Sequence, residues 1–224
     1  MVAIRIGDQI GDGVPAPGAG VIETPYAEDI YSFTAVAGQR VYFRVLESSQ
    51  GMGLLGLRLL DANGMEVFTS CLGCSEPGVQ TLSKGGDYTL TVGSKSNPST
   101  GTYRLRLYDV PAADRFSIEI GDEVKDNLPG PGAGVIESPG AEDIYTFSAT
   151  PRQHVYFRVL ESSQGMGLLG LRLLDANGME VFTSCLGCSE PGVQTLSKGG
   201  EYMLIVGSRT SPATGHYAFK TSSR

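Results

Sequence analysis

Polar and apolar side chains alternate along several short stretches of this chain. Over residues 29–36, Tyr31, Phe33 and Ala35 fall on one side and Ser32 and Thr34 on the other. Over residues 40–46, Val41, Phe43 and Val45 oppose Tyr42, Arg44 and Leu46. A period of two marks a strand with one face on a core and the other toward water. Residues 87–92 alternate in the same way, and residues 101–107 follow after a Ser/Asn/Pro loop. The run LGLRLL at 55–60 reads as a more fully buried strand. Asp61-Ala62-Asn63-Gly64 behind it reads as a hairpin turn, with Asn and Gly supplying the positive φ angles, and residues 65–69 return. Residues 3–6 and 79–82 bring the total to roughly eight strands at spacings of about 8–12 residues, the pattern of an antiparallel sandwich. Residues 7–20, GDQIGDGVPAPGAG, hold too much Gly and Pro to be regular. No stretch keeps a helical period of 3.6.

The whole pattern occurs twice. Residues 41–86 return without one change at 155–200, and the offset of 114 holds without a gap from Ile6 (Ile120) to the C-terminus. A period this long means two whole domains rather than stacked solenoid units. The expected fold is therefore all-β: two tandem antiparallel β-sandwich, jelly-roll-like domains over residues 1–110 and 111–224. The junction, residues 109–114 (DVPAAD), is short and contains Pro, which predicts a stiff connection.

Composition narrows the function classes. Seventeen Lys and Arg against 24 Asp and Glu give a net charge of −7, which argues against nucleic acid, whose binding rests on neutralising phosphates. The same balance suits solubility and a divalent cation. No apolar run is long enough to span a membrane. The opening MVAIRIGD lacks a cationic start and a long apolar centre, so no targeting segment is expected there.

With the strands placed, a family likeness emerges. Asp29-Ile-Tyr-Ser-Phe, Gly38-Gln-Arg-Val-Tyr-Phe, Asp61-Ala-Asn-Gly, Gly86-Asp-Tyr-Thr-Leu and Gly101-Thr-Tyr follow in an order that resembles the bacterial pre-peptidase C-terminal domains. That family includes the collagen-binding domains of secreted clostridial collagenases. The second copy repeats the order from Asp143-Ile-Tyr-Thr-Phe to Gly215-His-Tyr. The resemblance implies a non-catalytic jelly-roll-like sandwich in secreted or surface proteins, often a tandem accessory module. It also implies calcium at an acidic N-terminal segment and at the Asp matched here by Asp29 and Asp143. The family's acidic Glu-x-Asn-Asp type of segment is absent; only Asp8, Asp12, Glu23 and Glu28 lie nearby.

Few residues offer chemistry. Glu23, Glu28 and Asp29, mirrored by Glu137, Glu142 and Asp143, present carboxylates to Ca²⁺, a cation that takes six to eight oxygens. The alternative is a solvated loop with an Asp bonded to its own turn. A paired-carboxylate hydrolase is disfavoured because adjacent Glu28 and Asp29 on a strand point to opposite faces. The four cysteines form two Cys-x-x-Cys pairs, Cys71/Cys74 and Cys185/Cys188. They suit a small loop disulfide in each copy, as expected outside the cytoplasm, ahead of free thiols or a metal or redox site. The two histidines, His154 and His216, do not recur between copies, so the first copy holds no Ser–His–Asp set and both histidines read as surface residues. Met52, Leu54 and Leu55, with Met166, Leu168 and Leu169, lie among glycines and form either an exposed apolar tip for contact with a neighbour or a bulged strand completing the core.

No enzyme is expected from this set. The leading expectation is an extracellular or cell-surface structural or adhesive repeat protein, a spacer, stalk or self-assembling element that contacts other copies of itself or neighbouring repeats. The runner-up is an accessory module of a secreted hydrolase that grips an extracellular polymer, collagen or polysaccharide, through Tyr26, Tyr42, Tyr103 and Tyr108. The absence of Trp weakens the carbohydrate version.

Overall fold

The computed structural model describes residues 1–49, 55–74, 76–94, 99–163, 169–188, 190–208 and 213–224. The chain is all-β and divides into two compact units, Met1–Val110 and Pro111–Arg224. In the first, the strands are β1 (Val2–Ala3), β2 (Gln9–Ile10), β3 (Val21–Ile22), β4 (Glu28–Ala35), β5 (Gln39–Ser48), β6 (Leu55–Leu60), β7 (Glu66–Cys71), β8 (Val79–Leu82), β9 (Gly86–Ser94) and β10 (Gly101–Val110). The second runs through β11 (Asp114–Ser117), β12 (Glu123–Val124), β13 (Val135–Ile136), β14 (Glu142–Ala149), β15 (Gln153–Ser162), β16 (Leu169–Leu174), β17 (Glu180–Cys185), β18 (Gly192–Leu196), β19 (Gly200–Ser208) and β20 (Gly215–Ser223).

Each unit packs two sheets face to face. One has the order β1-β4-β9-β6-β7, and the other β2-β10-β5-β8 with β3 also on β10; the second unit repeats both orders strand for strand. All the pairs are antiparallel except β1 with β4 and β11 with β14, which run parallel. The predicted alternation decides what the sandwich encloses. Tyr31, Phe33 and Ala35 of β4 are buried, as are Val41 and Phe43 of β5 and Leu105 and Leu107 of β10. Phe33 sits at the centre, stacked on Tyr88 at 5.6 Å and tilted against Phe43 at 6.3 Å. Phe147 repeats this with Tyr202 at 5.8 Å and Phe157 at 6.2 Å. Such ring pairs add roughly 0.5–1.5 kcal/mol beyond the area they bury.

Several local expectations are corrected. β6 is not buried on both faces: Leu55, Leu57 and Leu59 point inward, while Arg58 is exposed on the outer side. The turn at 61–64 takes positive φ at Gly64 alone, not at Asn63. Its stability comes from Asp61, whose Oδ1 accepts the N–H groups of Asn63 (2.8 Å) and Met65 (2.9 Å) and whose Oδ2 takes Lys84 Nζ at 2.6 Å. That lysine holds the Asp61 carboxyl below its ordinary value. Residues 7–20 are not wholly irregular either. Ile10 is fully buried, and it draws the two-residue β2 onto β10 opposite Leu105. Past this stretch, Ile22 is buried beside β10 in the same way.

Within that stretch one glycine is indispensable. Gly20 has φ +76°, and a methyl on it would lie 2.2 Å from the carbonyl carbon of Gly11. Gly134 sits against Lys125 in the same way, at 2.4 Å. Two chain segments cross there with room for hydrogen only. Gly20→Ala is therefore expected to destabilise the first unit by about 3 kcal/mol, from backbone strain and overpacking together. Denaturant unfolding checks it, and a change under about 0.5 kcal/mol would refute the crossing as a constraint.

Candidate functional site

Among the polar features that both units share, three bear on function: a carboxylate tied to two tyrosines, half-buried at Asp29 and buried at Asp143, a cysteine loop, and a trough on the outer face of one sheet. The first lies between the sheets. Tyr31 extends from β4 and Tyr103 from β10, and their hydroxyls meet at 2.7 Å. Both reach Asp29 Oδ2, Tyr31 at 3.2 Å and Tyr103 in a short hydrogen bond, while Gly20 N–H donates to the Tyr31 hydroxyl at 3.2 Å. Asp143, Tyr145, Tyr217 and Gly134 reproduce the arrangement, again with 2.7 Å between hydroxyls.

Burial sets the protonation of these groups. It pushes Tyr31 up to about 12, and it raises Tyr103, Tyr145 and Tyr217 as well. The phenols therefore keep their protons near neutral pH and act as donors, not as nucleophiles. Burial also raises Asp29, against the opposing pull of the tyrosine hydrogen bonds. Asp143 rises to about 6, chiefly through burial; Asp114, opposite it across β11 and β14, adds negative charge that raises it further.

The carboxylates expected to hold calcium, three in each unit, are not gathered as a set: Glu23 and Glu137 lie near enough to act on Asp29 and Asp143, but the third member of each set stands apart. Asp29 and Asp143 point inward to the tyrosines, whereas Glu28, next in sequence to Asp29, lies outside against Gly93. Glu23 and Glu137 are exposed. Among the described residues no three His, Cys, Asp or Glu side chains gather as a metal site. The alternation that places neighbours on opposite faces separates Glu28 from Asp29 and Glu142 from Asp143.

The cysteines pair within each loop as Cys71–Cys74 and Cys185–Cys188, with Cα atoms 5.3 and 5.4 Å apart. Leu72 inside the first loop is fully buried and its N–H bonds to Leu55 O at 2.8 Å, so the loop is plugged into the core. Beyond it Glu76 accepts the Tyr42 hydroxyl and the Val45 N–H (3.1 Å), fixing the loop onto β5.

The apolar tip is corrected in part. Leu55 and Leu169 begin β6 and β16 with no exposed surface, so they belong to the core; Met52, Leu54, Met166 and Leu168 lie outside the described residues. Of the four candidate tyrosine contacts, Tyr103 is buried in the carboxylate knot, Tyr42 is buried beneath the cysteine loop, and Tyr108 carries Arg106 over its ring at 4.8 Å. Tyr26 alone stands out, 72% exposed at φ +67°, where the second unit has Gly140 at φ +85°. Both histidines are exposed, His216 beside Asp126 at 2.8 Å and His154 beside Thr195 at 3.1 Å.

The trough escapes a reading of the sequence because three or four strands build it. In one cross-strand row Glu28, Gly93 and Gly56 stand side by side; in the next outward-facing row stand Ile30, Thr91, Arg58 and Thr69. A hollow of about 330 Å³ lies over these rows, where the half-buried Gly56 stands beside the buried Gly93 and the Glu28 stem packs against Gly93. The second unit has a hollow of about 340 Å³ at the equivalent positions, floored by Gly207 and Gly170 and flanked by Glu142, Arg172, Thr183 and Ile205.

No known family model and no curated protein matches the chain. Solved structures similar to it include the CUB1-EGF-CUB2 domain of human MASP-1/3, 11% identical with TM-score 0.30 over 98% of this chain and 100% of that one. The rat MASP-1 CUB1-EGF-CUB2 domains give 11% and 0.30 over 99% of each chain. The full extracellular region of zebrafish Gpr126/Adgrg6 gives 10% and 0.30, all of this chain covering 37% of that one.

The knot predicts a pH dependence. Asp143 titrates from 3.8 when unfolded to about 6 when folded, so its contribution is fully present below the unfolded value and is lost as pH rises through about 6. The second unit should lose up to roughly 3 kcal/mol between pH 4 and pH 7 from this group. Asp143→Asn should flatten that part of the stability–pH profile, and an unchanged profile would contradict the assignment.

Proposed function

We propose that the chain is a non-catalytic extracellular contact module, a structural or adhesive repeat that offers one surface twice. The observation that carries this reading is the duplicated trough, whose lining recurs at equivalent positions in both units. The remaining recurring polar groups serve the fold. The Asp29 and Asp143 carboxylates are occupied by tyrosine hydroxyls, and the cysteine loops are closed and anchored. Two loop disulfides suit an oxidising compartment outside the cytoplasm. The motif likeness to pre-peptidase C-terminal domains supports the same role.

A second reading, an accessory module that holds an extracellular polymer for a hydrolase, draws on Tyr26. A bulky side chain in the left-handed region is strained, and this one also stands in solvent. Electron microscopy of the purified protein together with co-sedimentation separates the two. Regular polymers support the self-assembling repeat, and monomers that pellet with insoluble collagen or polysaccharide support the accessory module. Turnover of a substrate by the purified chain would overturn both.

A further inference from the structure

We infer that each Cys-x-x-Cys bridge is a thiol–disulfide exchange site, open at Cys74 and at Cys188 to a low-molecular-weight thiol. This goes beyond the contact-module reading and does not depend on it.

The two cysteines of each bridge stand in different surroundings. Cys71 and Cys185 end β7 and β17 and are buried, at 9% and 3% exposure, whereas Cys74 and Cys188 are exposed. The backbone closes the turn between them by itself. Cys74 N–H donates to Cys71 O at 3.2 Å, and Gly73 supplies the positive φ, +84°, that the third position of such a turn requires. In the second unit Cys188 N–H donates to Cys185 O at 3.4 Å, and Gly187 has φ +85°. Leu186, like Leu72, is fully buried, and its N–H donates to Leu169 O at 2.8 Å. The loop's place in the fold rests on these non-covalent ties. A bridge between residues three apart in sequence removes little chain entropy from the unfolded state, so opening it leaves the fold standing.

The asymmetry sets the order of the chemistry. An incoming thiolate attacks Sγ of the exposed Cys74 and forms a new S–S bond there. The Cys71–Cys74 bond breaks, its electron pair passes to Cys71 Sγ, and that thiolate takes a proton from water. Return attack by Cys71 on Cys74 expels the small thiol and restores the bridge. Attack by a second thiolate on the sulfur of the bound thiol instead releases the disulfide of the two small thiols and leaves both cysteines reduced. The alternatives fit less well. A structural staple joins segments that would otherwise part, yet the turn already joins Cys71 to Cys74. A metal needs further ligands, and among the described residues none gather. The bridge follows a strand rather than the helix N-terminus that activates the thiol of a disulfide oxidoreductase, so it accepts electrons from a thiol and does not serve other proteins as a catalyst.

Millimolar reduced glutathione, added to the whole chain and followed by acid quench, alkylation and peptide mass spectrometry, tests the inference. The expected result is that both bridges open while the near-ultraviolet circular dichroism of the tyrosines is unchanged and the melting temperature falls by no more than about 10 °C. Two variants then assign the sulfurs. Cys71→Ser/Cys185→Ser, which lacks the returning thiol, should take up glutathione from its oxidised form at Cys74 and Cys188. Cys74→Ser/Cys188→Ser, left with the buried thiols, should react at least about tenfold more slowly. Bridges that resist glutathione until the chain unfolds, loss of the tyrosine signal when they open, or equal rates in the two variants would overturn the exchange site.

Discussion

The hydrogen bond between Tyr31 and Tyr103 joins the two sheets of the first unit, and Tyr145 with Tyr217 does the same in the second. A sandwich of leucine, valine and phenylalanine faces is held by burial, which is strong but indifferent to small slips of one sheet over the other. Polar groups buried in that layer are not indifferent. A tyrosine hydroxyl displaced from its carboxylate would be left unsatisfied in the core at about 1–3 kcal/mol, and in the second unit the buried Asp143 would be left unsatisfied with it. The knot therefore fixes which residue of β4 faces which residue of β10. It also gathers the crossing loop through the N–H of Gly20. Both the position of β4 in its sheet and the course of residues 7–20 trace to it.

From β4 outward the consequences reach the surface. Because Asp29 is committed inward, its neighbour Glu28 must face out, over the glycine floor that Gly93 and Gly56 provide. One strand thus fixes the buried knot and supplies the acidic wall of the trough. The second unit keeps both features and changes their surroundings. Its first strand, β11, places Asp114 opposite Asp143 and raises the charge density around the knot, whereas the shorter β1 pairs with Tyr31 and Ser32 of β4 and stops short of Asp29. Tyr26 and Gly140 occupy equivalent positions of positive φ, so the units differ in an exposed aromatic while sharing the trough.

Much of this is legible in the chain, and the gaps have physical causes. Strands 8–10 residues long show their period directly, which is why β4, β5, β9 and β10 and their inward faces emerge from alternation alone. β2 and β3 have two residues each, too few for any period, and only the burial of Ile10 and Ile22 reveals them. LGLRLL looks buried on both faces because Gly56 and Leu60 carry no charge to mark the outside, leaving Arg58 as the sole cue. Asp29-x-Tyr31 and Gly101-Thr-Tyr103 are visible as motifs, but their meeting spans 72 positions and depends on how the two sheets pack. The trough is less visible still, since its glycines belong to different strands and become neighbours only through register.

A double-mutant cycle on Tyr31→Phe and Tyr103→Phe, read by chemical unfolding of the whole chain, tests the tie between the sheets most directly. Each single change is expected to cost about 1–3 kcal/mol, with a coupling between them of at least about 1 kcal/mol. Losses that simply add, or substitutions that leave stability unchanged, would mean that apolar burial alone aligns the sheets.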